Sequence, residues 1–217
     1  MVIRKIFKYS RMTKIVQDVS KLKTPLTKLP KNKQEQDVLS AALMTSLTKH
    51  KGFGLSANQI GVDKRICVVN VKDPLVLVNP RITNRSEDGI VYIESCLSLP
   101  KTMTKPRYTV RSQTITVETD NLGTIEFGPD EPKKIGTKDH NYFGDEGLLE
   151  CVVAQHEIDH LDGILITDDV RKYDRTIRSE KKYGRNDRVM VKLSDGTTEF
   201  MKYKKAEPLL AKGAEIL

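Results

Sequence analysis

No stretch of the 217 residues approaches the roughly 20 consecutive apolar positions that a bilayer-spanning helix needs, which excludes a helical membrane protein. The N-terminal stretch has no apolar signal-peptide core either. Cysteine is scarce and odd in number, at three. Together these absences argue against a secreted disulfide framework and for reduced thiols in a cytoplasmic compartment, where one thiol is free to bind metal. Histidine is scarce as well, with four in the chain. The first 17 residues hold no acid, a composition compatible with a solvated extension or with an organellar (matrix) transit segment. No internal repeat is present.

What is there suits one globular domain with appendages: hydrophobic residues make up 38% and charged residues 30%. The net charge of +8 is uneven. Residues 1–35 carry ten Lys/Arg against Asp18 and Glu35, and residues 171–217 carry thirteen against seven acids, so both ends are basic and the middle is acidic by six. Basic ends on an acidic body suit contact with a phosphate-rich surface such as the ribosome, or simply keep a tail solvated. The run Arg171, Lys172, Arg175, Arg178, Lys181, Lys182, Arg185 and Arg188 recurs near helical spacing and predicts a basic stripe.

From Gln34 to His50, Val38, Leu39, Ala42, Leu43 and Leu47 recur at three- and four-residue steps, predicting an amphipathic helix. Lys51-Gly52-Phe53-Gly54 ends it, with glycine expected to supply the backbone freedom. Arg65–Val71 and Leu75–Asn79 read as strands. Thr114–Thr119 and Thr124–Phe127 read as a hairpin around Asp120-Asn121-Leu122-Gly123. Residues 128–147 read as a long loop, Glu146–Leu161 as a second helix, and Val189–Leu193 with Thr198–Tyr203 as another hairpin. The fold class is α+β: mixed, mainly antiparallel strands packed around a central helix. Residues 1–175 are expected to form the main domain, and residues 176–217 a basic C-terminal extension carrying the hairpin.

That central helix contains His156-Glu157-Ile158-Asp159-His160. Two histidines four apart share one helical face, so both imidazoles can reach one ion, and Glu157 stands close enough to handle protons. A catalytic site needs a third protein ligand. Cys67 sits in an apolar strand and is most simply a small core residue. Cys151 lies roughly 140° round the helix from His156 and about 180° from His160, so it points away. Cys96, in the turn-rich Glu94-Ser95-Cys96-Leu97-Ser98-Leu99-Pro100 with no strong reason to bury a thiol, is the remaining candidate. Leu149, Val152 and Val153 share the His156 face, as a pocket wall or as plain core.

Gly52-Phe-Gly-Leu-Ser-Ala-Asn-Gln59, Glu94-Ser-Cys-Leu-Ser98 and Gln155-His-Glu-Ile-Asp-His160, in that order, resemble the three motifs of the peptide deformylases. Three ordered motifs are far more specific than a lone His-Glu-x-x-His. The resemblance runs from about residue 15 to 170 and includes Pro106-Arg107 and Leu161-Asp162-Gly163. It implies removal of the formyl group from the N-terminal formylmethionine of new polypeptides, with N-formylmethionyl peptides and nascent chains as partners. It further implies one divalent metal, Fe2+ by preference, on Cys96, His156 and His160. The donor set also suits Zn2+ or Ni2+. Glu157 is then the acid/base for a metal-activated water that attacks the formyl carbon, and Gln59 and the Leu97 N–H are the oxyanion donors. Phe53, Gly54 and Ser95 are implied substrate contacts, and Leu149, Val152 and Val153 the wall for the methionine side chain. Ser95 stands where the family commonly has glycine, and Ser56 where it has alanine. Two rival readings use the same residues: another metalloamidase, or an RNA-binding protein with a structural metal. A structural site is normally closed by four protein ligands, which weighs against the second.

Overall fold

In the computed structural model, which describes residues 14–87, 89–105, 107–130, 145–168, 186, 188–193, 196–210 and 214–216, the strand Ile66–Val69 is buried at all four positions. Both of its faces are covered. Ile66 and Val68 pack into one apolar cluster with Leu39, Leu43 and Leu47, while Cys67 and Val69 pack into another with Cys151, Ala154 and Ile158. A strand alternates its side chains between faces, so cover on both sides calls for a continuous apolar run and not an alternating one. This strand (β2) pairs antiparallel with Gly54–Ser56 (β1) on one side and Leu75–Val78 (β3) on the other.

The first cover follows the short helix Val19–Leu22 (α1) and is the helix Lys33–His50 (α2). The Asn32 side chain caps α2 by accepting from the Glu35 N–H at 3.1 Å. The left-handed residue that ends α2 is Lys51, with φ of 53°, and not a glycine as expected. Gly52 serves packing instead: a Cβ there would stand 3.0 Å from Leu47 Cδ1 and 3.1 Å from Leu97 Cδ1.

Arg81–Arg85 (β4) and the hairpin Ile115–Thr119 (β7) with Gly123–Phe127 (β8) form a second antiparallel sheet, in the order β4-β7-β8. Gly89–Glu94 (β5) pairs antiparallel with Arg107–Ser112 (β6), and the short helix Pro100–Thr104 (α3) lies between them in sequence. The periodicity reading missed β4, β5, β6 and α3. In β5 and β6 the reason is an inverted pattern. Glu94, Thr109 and Arg111 are buried, while Ile93, Tyr108 and Val110 are exposed.

The second cover is Glu146–Leu161 (α4), begun by the Asp145 side chain, which accepts from the Leu148 N–H at 2.9 Å. Twelve of its sixteen residues are buried, and from Ala154 to Leu161 every residue is, so its C-terminal half is enclosed on all sides. No described helix is long and apolar enough to cross a membrane. Of the predicted loop 128–147, residues 131–144 lie outside the described residues.

The chain clusters into two units, Met1–Tyr173 and Asp174–Leu217. In the second, Arg188–Lys192 (β9) pairs antiparallel with Thr198–Lys202 (β10) and with Glu215–Ile216 (β11), and Tyr203–Leu210 (α5) follows β10. Val189, Val191 and Ala206 form its core. The basic stripe predicted over 171–188 falls almost wholly outside the described residues; Arg188 itself opens a strand.

Candidate metal centre

His156 and His160 stand one turn apart on α4, with ring centroids 5.0 Å apart. Their donor atoms and Cys96 Sγ all lie within 4.8 Å of one another. Cys96 Sγ is 3.2 Å from His160 Nε2. The loop after β5 holds the cysteine there: the Cys96 N–H donates to Thr102 Oγ1 at 2.9 Å, and that hydroxyl donates to the Leu99 carbonyl at 2.7 Å. The thiol is only 2% exposed, packed with Leu22, Leu99, Leu165 and Ile166, so the expectation of no reason to bury it was wrong. The apolar residues that enclose it come from segments far apart in sequence. Asn58 ties the far end of the site, donating to the His160 carbonyl at 2.7 Å and to the Leu22 carbonyl at 3.2 Å.

The other two thiols are poor donors. Burial pushes Cys67 far above the ordinary thiol range, helped by the Glu157 charge, and burial pushes Cys151 up to about 11. Both stand in the apolar cluster between β2 and α4, outside the Cys96, His156 and His160 group.

One histidine is oriented by a carboxylate. His156 Nδ1 lies 2.8 Å from Glu94 Oε2, which leaves Nε2 as the nitrogen available to a ligand. Arg111, 2% exposed, grips the same carboxylate through Nε at 2.6 Å and Nη2 at 2.8 Å, and reaches Asp159 through Nη1 at 2.5 Å. Thr109 Oγ1 also donates to Glu94. Burial would raise the Glu94 carboxyl, but the Arg111 charge and hydrogen bonds, with His156, overcome it and hold the group well below the usual carboxylate range. Burial disfavours the imidazolium of His156, yet Cys96 and Glu94 outweigh it and raise that group well above the usual histidine range. His160 moves the opposite way, lowered by burial and by the charges of His156 and Arg111.

Two buried polar atoms here have no hydrogen-bond partner, His160 Nδ1 and Glu157 Oε2. Burial raises the Glu157 carboxyl to about 7. Glycine at position 54 gives it room: a Cβ there would stand 2.6 Å from Glu157 Oε1 and 2.7 Å from Val153 Cγ1. A soft thiol and two imidazoles clustered beside an unpartnered carboxylate oxygen form a donor set that can hold a divalent cation.

A cavity of about 700 Å³ opens on this cluster. Among its lining residues are Phe53, Gly54, Gln59, Ser95, Leu97, Leu149, Val152 and Val153, together with Cys96, His156 and Glu157. The residues singled out for the site thus line one cavity, except that His160, 2% exposed, stands behind the wall against Cys96 Sγ. Val152 is wall and core at once, since it also packs with Ile90 and Leu148. Gln59 is fixed in one orientation. Its Oε1 accepts from the Ser56 N–H at 2.8 Å, so the amide NH2 faces Ser98 Oγ at 3.3 Å and Cys96 Sγ at 3.7 Å. Sequence reasoning missed Glu94, Arg111 and Asp159. The signal was an arginine and a glutamate at inward positions of two strands whose apolar residues face out.

A family model described as polypeptide deformylase matches residues 4–176. Among curated relatives, the peptide deformylase of Dictyoglomus thermophilum is 35% identical over 162 residues, spanning 74% of this chain and 92% of that protein. That of Rhizobium meliloti is 35% identical over 143 residues, spanning 63% and 72%. Among solved structures, peptide deformylase 1B of Arabidopsis thaliana in complex with an inhibitor aligns with a TM-score of 0.60 at 25% identity, covering 76% of this chain and 84% of that one. With the match running through both cores and the whole of α4, the chain belongs to the peptide deformylase family of hydrolases.

Proposed function

We propose that this protein removes the formyl group from the N-terminal formylmethionine of newly made polypeptides, with one divalent cation held by Cys96, His156 and His160. The observation that carries this reading is the meeting of those three donors, within 4.8 Å of one another, beside Glu157 and the apolar wall of one cavity. The resemblance favours Fe2+, and the donor set suits Zn2+ and Ni2+ too. When bound, the cation supplies Lewis acidity, which acidifies water and polarises a carbonyl.

The protein's own groups do the rest. Leu149, Val152 and Val153 receive the methionine side chain, which sets the formyl carbon beside Glu157. A carboxyl near 7 can both take and return a proton at neutral pH, and the unpartnered Glu157 Oε2 is the atom that does so. It accepts a proton from the attacking water and delivers it to the leaving nitrogen as the C–N bond breaks, so that formate and a free amine result. Gln59 Nε2 and the Leu97 N–H donate to the oxygen on which negative charge develops. Loss of one such donor costs on the order of 10²–10³ in rate. On this reading residues 1–175 are the catalytic domain, residues 176–217 an appended basic extension, and the protein works in the cytoplasm.

Hydrolysis of a formyl-Met peptide by metal-loaded protein under reducing conditions tests the assignment. Glu157→Gln is expected to keep native metal content and lose nearly all turnover. Substantial turnover in that variant would send the proton transfer to another group. Equal hydrolysis of formyl and acetyl peptides would favour a broader amidase.

A further inference from the structure

The second unit presents an exposed face that mixes apolar and basic side chains. On β9, Val189 and Val191 turn inward to Ala206 of α5, so Arg188, Met190 and Lys192 turn outward. The register sets Lys202 opposite Arg188, Phe200 opposite Met190 and Thr198 opposite Lys192. The outer face of the β9–β10 pair therefore carries an apolar pair at its centre with cations towards both ends; none of these six residues is acidic, and Glu215 of β11 stands in register with Lys192 on the other side of β9. Phe200 is 59% exposed and Met190 44%. The Arg188 guanidinium lies 5.8 Å from the Phe200 ring centroid. Basic side chains on either side of an exposed aromatic ring and methionine limit the kinds of partner that fit.

We propose that this face binds single-stranded nucleic acid. One base stacks on Phe200 with Met190 beside it, and Arg188, Lys192 and Lys202 take the phosphates on either side. Stacking needs a free base face, which a single strand offers and a duplex hides. The cations suit a polyanion that crosses the ribbon and would oppose a basic partner. This inference does not depend on the reaction proposed above.

The test is fluorescence anisotropy of the full chain with a labelled oligouridine of about 12 nucleotides, titrated at several salt concentrations. Phe200→Leu is expected to weaken binding on the order of tenfold while Phe200→Tyr retains it, because only the ring stacks. The triple change Arg188→Gln, Lys192→Gln and Lys202→Gln is expected to lower the slope of log affinity against log salt by about 2, from three phosphate contacts at about 0.7 each. All four positions are exposed, so the Val189–Val191–Ala206 core is left intact, and circular dichroism checks it. The proposal is overturned if Phe200→Leu binds as tightly as the native chain, if the triple variant keeps its salt slope, or if a duplex of equal length binds as well as the single strand. It is equally overturned if phosphatidylserine vesicles bind through these residues and the oligonucleotide does not.

Discussion

Arg111→Met is the most informative single change in the first unit. The guanidinium is 2% exposed and makes three charged hydrogen bonds, at 2.6 and 2.8 Å to Glu94 and 2.5 Å to Asp159. Methionine fills similar volume and leaves both carboxylates buried without their cation. Breaking a buried pair from one side costs about 3–5 kcal/mol, a large part of a domain stability of about 5–15 kcal/mol. The cost comes from stranded charge, so adding Asp159→Asn to the variant should recover part of it. pH gives the sharper signature. In the native protein Glu94 is held low, so its contribution is full above the unfolded carboxyl value and is lost as pH falls through the folded one. Without Arg111, burial pushes the folded Glu94 carboxyl up from its native position against the His156 and Thr109 contacts alone. The variant therefore gains relative stability as pH falls, and its deficit is wide at pH 8 and narrower near pH 5.5. Urea unfolding in chelator, followed by circular dichroism, reads the midpoint and slope for both proteins. A deficit under about 1 kcal/mol, or one that ignores pH, would refute the reasoning.

Further changes probe the site directly. Cys96→Ala should abolish stoichiometric metal uptake while Cys67→Ser and Cys151→Ser keep it; full occupancy in the Cys96 variant, read by metal analysis, contradicts the ligand set. Gly54→Ala forces a Cβ to 2.6 Å from Glu157 Oε1, so kcat on a formyl-Met peptide should fall by about 10² with metal content unchanged; near-native kcat would mean the carboxylate can shift without penalty. Leu149→Trp narrows the cavity wall and should raise KM for formyl-Met peptides more than it alters kcat. Unchanged KM would remove Leu149 from the methionine pocket.

Much of this was legible from spacing. The three- and four-residue steps in α2, the double-sided apolar run of β2 and the hairpin glycine at 123, with φ of 71°, each obey a local rule. His156 and His160 were readable because helical geometry alone brings residues four apart together. Cys96 was reached by eliminating the other two thiols, but the apolar cluster around it was not, because Leu22 and Leu165 come from distant segments. Glu94 and Arg111 escaped notice for another reason. A pattern rule sends charge outward, and only a partner elsewhere in the fold makes the inward position favourable. The arginine needs Asp159 of α4, and nothing in the local sequence of β6 announces it.

The inside-out pattern of β5 and β6 bears on how these two strands find their alignment. In an ordinary half-buried pair, a slip of one residue exposes grease, and water corrects the mistake. Here a slip of β6 by one residue would turn Tyr108 and Val110 inward and release Thr109 and Arg111 to solvent, so apolar burial alone does not penalise it. Correct alignment is thus chosen by the fit of one guanidinium between carboxylates on two different elements. The register of β6 is therefore tied to α4 through the Arg111–Asp159 contact. The same side chains that aim His156 also decide which of two alignments survives.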